Sequence, residues 1–340
     1  MTWSRFLKIL VLSLVTSGSL VYAFILVMDP YQSELVSPSM PRAPVAQNQR
    51  YSYPALARNV GFDSAVVGTS TVRLLKPARL NTLLGARFVN LAMNDATPFE
   101  QVLMTRLFLQ HHPRAKFLIF GVDDSWCRES ESVRVETIRG LPEFMYDANQ
   151  WNDLLYLFND KALENSVRML ELVRGKREPK YGLDGYEDFS DDPEDRRLSL
   201  VRERIYGASA AVLPAAPVNL EPARVRPGVR MAEMDQFADL LSGIPAGTRI
   251  TVLFPPRHIW AMSQNPGLYQ ECKWRARSVV KTLRPDAVIL DLLLDSAITR
   301  EDSNYLDRIH YVDEVAEKVE LAIARTTEKK RRGGSYWEVR

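Results

Sequence analysis

Asp63-Ser64-Ala65-Val66-Val67-Gly68-Thr69-Ser70 is a short β-type run that passes straight into a glycine and two hydroxyl residues. Four further runs share its character: Arg87-Phe88-Val89-Asn90-Leu91, Lys116-Phe117-Leu118-Ile119-Phe120 ending at Gly121, Arg249 to Phe254 ending at Pro255-Pro256, and Ala287 to Asp291. Their apolar residues are continuous rather than alternating. That is the pattern of parallel strands covered on both faces. Helical spacing appears between and after them, at Pro98–His111, Met231–Leu241, Cys272–Leu283 and Asp313–Arg325. Strands alternating with helices predict an α/β fold, a doubly wound, mostly parallel sheet. The stretch 130–227 breaks the alternation and reads as a long insertion between the third and fourth strands. It is helical at Trp151–Val173, then charged and Gly/Asp-rich, then Ala/Pro-rich. Long irregular insertions in a compact fold tend to be lids or binding surfaces.

Outward from this core, the chain has 340 residues, with 46% apolar and 25% charged. These are ordinary values for a protein that buries a core. Net charge is +2 and no basic stripe is interleaved with aromatics, so no nucleic-acid partner is expected. The run Lys329-Lys330-Arg331-Arg332 reads as part of a solvated basic tail, 326–340. There is no P-loop, no dinucleotide glycine fingerprint, no CxxC and no Cys/His cluster. No cofactor and no metal are therefore expected. The two cysteines, Cys127 and Cys272, have two readings: a disulfide if the body lies outside the cytoplasm, or two buried thiols. No internal repeat is found at solenoid periods.

The N-terminus bears on the compartment. Ile9 to Met28 carries no charge and is about as long as a bilayer core is thick. Arg5 and Lys8 precede it, so the positive-inside rule keeps the N-terminus in the cytoplasm and sends the body across. Val21-Tyr22-Ala23 would serve a cleavable signal peptide. The apolar run continues through Phe24 to Met28, however, which favours an uncleaved single-pass anchor. The expected organisation is an anchor at 1–29, a Pro/Ser/Gln-rich linker at 30–54, an α/β domain at 55–325 and the tail. The location expected is the cell inner membrane with the domain in the periplasm.

In an open parallel sheet, ligands bind at the carboxyl ends of the strands. Ser70 follows the first strand after Gly68-Thr69, where a glycine permits a sharp turn into a helix N-terminus. A hydroxyl there lies near backbone N–H donors suited to an oxyanion, although Gly-Thr-Ser equally suits a helix N-cap. After the last strand, Asp307 and His310 stand three apart in Asn304-Tyr305-Leu306-Asp307-Arg308-Ile309-His310-Tyr311. A serine nucleophile needs a base, and the base needs an orienting partner; one Asp-x-x-His turn supplies both. Of the other histidines, His111 and His112 end a helix and read as caps or solvated. His258, after Pro255-Pro256-Arg257, reads as a loop residue or as lining the site.

An early Gly-x-Ser with a late Asp-x-x-His resembles the SGNH (GDSL-like) hydrolase superfamily. The matching segments are Val66–Ser70, Asn90 to Glu100, Phe120–Asp123 and Asn304–Tyr311. Within it the chain is similar to the membrane-anchored branch that includes alginate O-acetyltransferase-like proteins. The resemblance runs from Asp63 to the last helix and leaves the insertion uncovered. It implies a three-layer α/β/α domain with Ser70 as nucleophile, His310 as base and Asp307 as orienter. It further implies an esterase or O-acyltransferase acting on acetyl-type esters of a polysaccharide, with a multi-span membrane acyltransferase as a partner. The alternative is a non-catalytic binding or assembly protein on the same fold. Two positions depart from the superfamily. Ala92 or Asp95 falls near a glycine that helps the oxyanion hole, and Asp123 stands where an asparagine is usual. A carboxylate aimed at an oxyanion is repulsive by roughly a few kcal/mol in a dry site. Either Asp123 points elsewhere, or Asn94 is the donor, or catalysis is impaired. Arg257 and His258 complete the candidate substrate contacts.

Overall fold

The computed structural model describes residues 2–37, 42–135, 137, 139–207, 209 and 212–331. In chain order the helices and strands are α1 (Trp3–Met28), α2 (Gln49–Arg58), β1 (Ser64–Val67), α3 (Pro77–Leu84), β2 (Phe88–Asn90), α4 (Pro98–His111), β3 (Phe117–Gly121), α5 (Gln150–Asp153), α6 (Asp160–Val173), α7 (Leu198–Tyr206), α8 (Ala232–Ser242), β4 (Arg249–Phe254), α9 (Ile259–Ser263), α10 (Pro266–Leu283), β5 (Val288–Asp291), α11 (Ala297–Arg300) and α12 (Asp313–Arg331). They form two compact units. One joins Met1–Leu56 to Leu141–Gly185; the other joins Ala57–Gly140 to Tyr186–Arg340.

The second unit holds the sheet. All five strands are parallel, in the order β2-β1-β3-β4-β5. Successive side chains point to opposite faces. Val66, Phe88, Ile119, Leu253 and Leu290 share one core with Val315, Val319 and Ile323 of α12 and Leu80 of α3. On the other face Phe120 meets Phe237 of α8 edge to face, with ring centroids 6.1 Å apart. Helices thus cover both sides, which is why the strands read as unbroken apolar runs. α4 occupies the very residues its pattern predicts. Thr97 caps it reciprocally with Glu100, and Pro98 stands at the first helical position. Cys127 and Cys272 are joined as a disulfide with Cα atoms 5.2 Å apart, which settles the choice left open above.

Several boundaries differ from the sequence reading by more than a residue or two. α10 begins at Pro266 rather than Cys272, because Asn265 caps the earlier turn. α12 continues to Arg331, past the expected end at Arg325, so residues 326–331 of the tail are helical; 332–340, with Arg332, lie outside the described residues. The single helix expected over Trp151–Val173 is broken after Tyr156, where Asn159 caps a new helix. The stretch 130–227 is likewise no single insertion, since Leu141–Gly185 clusters with the N-terminal residues.

The first unit contains α1, residues 49–56 of α2, α5 and α6. α1 is long and apolar enough to cross a membrane, with a mean hydropathy of 2.2 over its most apolar window. It ends at Asp29, whose left-handed backbone (φ 43°) and buried carboxylate collect N–H donors from Ser33 and Glu34 and the hydroxyl of Ser37. The stretch read as a linker, 30–54, is instead packed structure at its C-terminal end. Gln49–Tyr53 begin α2, and Arg50 and Tyr53 are fully buried. Tyrosines hold it down: Tyr53 donates to the Gly185 carbonyl at 2.8 Å, Tyr146 to Arg50 at 3.0 Å and Tyr181 to Gln47 at 3.1 Å. Their rings supply buried area, and each hydroxyl satisfies a backbone acceptor.

Candidate active site

Strand order reverses between β1 and β3, and that switch point is where an open parallel sheet leaves a crevice beyond its strand ends. Ser70 emerges from β1 at this place and Asp123 from β3. Two glycines let the strand ends approach. A Cβ on Gly68 would lie 2.5 Å from Cγ2 of Val72, and one on Gly121 would lie 2.7 Å from Cγ1 of the same side chain. Val72 is thus wedged between the two strand ends, and Ser70 starts the short 3-10 turn that carries it. Buried Asn90 staples that turn. Its side-chain amide donates to the carbonyls of Val72, Arg73 and Leu75 at 3.2, 3.1 and 2.9 Å.

Asp307 and His310 come from the loop between α11 and α12. Tyr305 and Tyr311 pair across that loop, and the Leu306 N–H reaches the His310 carbonyl at 2.8 Å. Asp307 Oδ1 accepts the N–H groups of Ile309 and His310 at 2.8 and 2.9 Å. Its Oδ2 lies 2.7 Å from His310 Nδ1, and His310 Nε2 lies 2.7 Å from Ser70 Oγ. A carboxylate only accepts, so it selects the tautomer with hydrogen on Nδ1 and turns the Nε2 lone pair toward the serine hydroxyl. Burial works to raise the Asp307 pKa. The bond and charge of His310, with the two backbone N–H groups, outweigh it and leave the carboxyl below its usual range. The arrangement can deprotonate a hydroxyl and hold the resulting imidazolium.

Asp123 lies under the Ser70 turn with both oxygens occupied. Oδ2 accepts from the hydroxyls of Thr69 and Thr71, and Oδ1 from the N–H and hydroxyl of Ser125 at 2.9 and 2.7 Å. Its carboxylate therefore acts as a brace between the two strand ends. Ala92 is fully buried, and its N–H is spent on Asn90 Oδ1 at 3.0 Å. Asn94 accepts from Arg73, which also pairs with Glu187. Asp95 lines the cleft beside Ser70, in a left-handed conformation (φ 51°). Among the described residues, no acceptor is bonded to the Ser70 N–H.

Arg257 also lines the cleft, bonded to Asp124 and to the Tyr269 hydroxyl. Burial opposes its charge, yet Asp124 keeps its pKa raised; burial pushes the Asp124 carboxyl up, with Arg257 opposing. His258 does not reach the cleft. It is wholly buried, and its Nδ1 accepts the Trp260 N–H at 3.3 Å, so its Nε2 donates to Asp302 at 3.1 Å. Its own N–H bonds the Arg308 carbonyl at 3.2 Å, which pins the loop of Asp307 from below. His112 is the C-cap of α4, one of its two readings, and is buried rather than solvated; its ring bonds the Ala57 carbonyl at 2.9 Å and packs tilted against Phe108.

The cleft beside Ser70 measures about 280 Å³. Arg128 and Arg134 line it, as does Ile309. The sequence reading passed over these, and also Phe189, whose ring meets His310 edge-on at 5.6 Å, under the Arg73 guanidinium. No protein-family model matches the sequence, and no curated protein matches it.

Proposed function

We propose that this chain is a serine-dependent esterase or O-acyltransferase of the SGNH type. Its substrates are acyl esters, above all acetyl esters, of an envelope or extracellular polysaccharide. The observation that carries this reading is the unbroken path from Ser70 Oγ through both ring nitrogens of His310 to Asp307, each step 2.7 Å. Ser70 Oγ attacks the ester carbonyl while His310 Nε2 takes its proton. The Ser70 N–H, at the start of a helical turn, supports the oxyanion. His310 returns the proton to the departing alcohol and leaves an acyl-serine. A glycan hydroxyl or water, deprotonated in turn by His310, then takes the acyl group and frees the serine. The superfamily's other two oxyanion donors have no counterpart in Ala92 and Asp123, so Ser70 carries more of that work. α1 anchors the protein at the inner membrane with its domain in the periplasm. A multi-span membrane acyltransferase fits as the source of the acyl group.

Full-length protein in vesicles, assayed with 4-nitrophenyl acetate and by mass spectrometry of trapped acyl-serine, tests this. Ser70→Ala is expected to fold, to lose hydrolysis and to trap nothing. Equal turnover by parent and variant, with no adduct on either, rejects the proposal. The absence of an asparagine donor at Asp123, whose carboxylate is committed to Thr69, Thr71 and Ser125, favours one other reading, a non-catalytic polysaccharide-binding or assembly protein. Glycan binding unchanged in Ser70→Ala, with no esterase activity in the parent, is its signature.

A further inference from the structure

The first unit exposes an apolar cluster that its own packing covers only in part, through Phe144 on Tyr156 and Tyr22 on Phe158. Trp151 is 64% exposed, Leu155 79%, Tyr156 55% and Phe158 60%. They lie on one short stretch that runs from α5 through a 3-10 turn to the start of α6, with polar flanks at Asn149–Gln150 and Asn159–Lys161. This stretch touches the apolar N-terminal helix. Tyr22 donates to the Leu154 carbonyl at 2.7 Å, its ring meets that of Phe158 at 6.0 Å, and Gly18 faces the same phenyl ring.

Length then decides what covers the cluster. Residues 3–17 of α1 are exposed throughout, whereas cover by the rest of the unit begins at Gly18. At 1.5 Å per residue the bare part is about 22 Å long, short of a hydrocarbon core of about 30 Å. Tilting the helix lengthens the path and widens the shortfall. The core must therefore extend along α1 to about Tyr22, the level of Leu154 and Phe158. It stops short of Asp29, whose buried carboxylate and polar partners lie about 10 Å further along the axis. With this placement, set toward the N-terminus of the charge-free run Ile9–Met28, Trp3 and Tyr22 stand about 28 Å apart, one at each boundary, where such rings accumulate, and Arg5 and Lys8 in the first turns reach back to the cytoplasmic headgroups on their own alkyl stems.

We propose that the Trp151–Phe158 stretch is a second membrane contact, sunk into the outer interfacial layer of the bilayer that α1 crosses. The inference rests on α1 being a membrane anchor. It makes the first unit a two-point attachment, which fixes rotation of the helix about its axis as well as its depth.

The test uses the full chain reconstituted in phosphatidylethanolamine–phosphatidylglycerol vesicles whose acyl chains carry bromine near the headgroup. Tryptophan emission of the parent is compared with Trp151→Phe and Trp3→Phe, so each difference spectrum isolates one indole. Trp151 is exposed, so its replacement by Phe leaves the fold intact. The expected result is a blue-shifted Trp151 component that loses most of its intensity to the shallow bromines, as Trp3 does. A quenched Trp3 with an unquenched, water-like Trp151 leaves the anchor standing and overturns the second contact. Loss of quenching for both indoles overturns the anchor and the second contact together.

Discussion

Asp307→Asn changes one oxygen to an amide of the same shape, and the loop dictates how that amide must sit. The position of Oδ1 faces two backbone N–H donors at 2.8 and 2.9 Å, so only the amide oxygen can occupy it. The NH2 group is then forced to the position of Oδ2, 2.7 Å from His310 Nδ1. A donor there requires a lone pair on Nδ1, and the hydrogen moves to Nε2. The imidazole now presents N–H, not a lone pair, to Ser70. To act as base it must adopt a tautomer in which two N–H groups confront each other, and the imidazolium formed afterwards has lost its counter-charge. A carboxylate-to-amide change of this kind costs about 10⁴-fold in turnover, or about 5.5 kcal/mol of barrier. The folded state keeps its hydrogen-bond count, so thermal stability at neutral pH is expected to change little. The assay is acetyl-ester hydrolysis by the vesicle-bound protein, with the melting temperature measured in parallel. A variant within about tenfold of the parent in turnover, equally stable, refutes the tautomer argument.

Two further outcomes are expected. Replacing both Cys127 and Cys272 by Ser opens a cross-link with a sequence separation of 145, worth at most about 5 kcal/mol of loop-closure entropy; chemical denaturation is expected to show a lower midpoint, and an unchanged midpoint removes the disulfide from the stability argument. His112 and His258 have pKa values lowered by burial, so below the ordinary value of about 6.5 the unfolded chain takes up protons that the folded chain does not. Stability is therefore expected to fall as pH drops from 7 toward 5, and His258→Gln, which can donate to Asp302 without titrating, is expected to flatten that slope. An equal slope in the variant counts against the assignment.

The strands were legible because both faces of the sheet are covered, leaving no alternation to confuse the pattern. α4 was legible because its start carries a capping box and a proline in the first turn. α2 was not: Pro54 sits inside it, and it is held by Tyr146 and by the Gly185 carbonyl, both far along the chain, which no local window contains. For the same reason the membership of Leu141–Gly185 in the first unit could not be read from spacing. At the site, Ser70, Asp307 and His310 could be named from strand ends and a three-residue interval. The role of Asp123 could not, since it depends on three hydroxyls: Thr69 and Thr71 stand on either side of Ser70, and only Ser125 is local to Asp123. His258 was ambiguous because a loop residue turns inward or outward according to what awaits it, here Asp302 and the ring of Tyr305.

β3 and β4 are paired neighbours, from Phe117 opposite Arg249 to Gly121 opposite Leu253, yet residues 122–248 lie between them. During synthesis, β1, β2 and β3 are complete long before β4 exists. Until it arrives, Phe117-Leu118-Ile119-Phe120 is an apolar strand edge with open N–H and C=O groups, a template for pairing with a neighbouring chain. Contacts this distant in sequence form slowly, because the loop must close before any pairing rewards it. The half-built sheet is therefore the species most prone to aggregate. Yield from a host depends on how long that edge is shielded, more than on the stability of the finished protein.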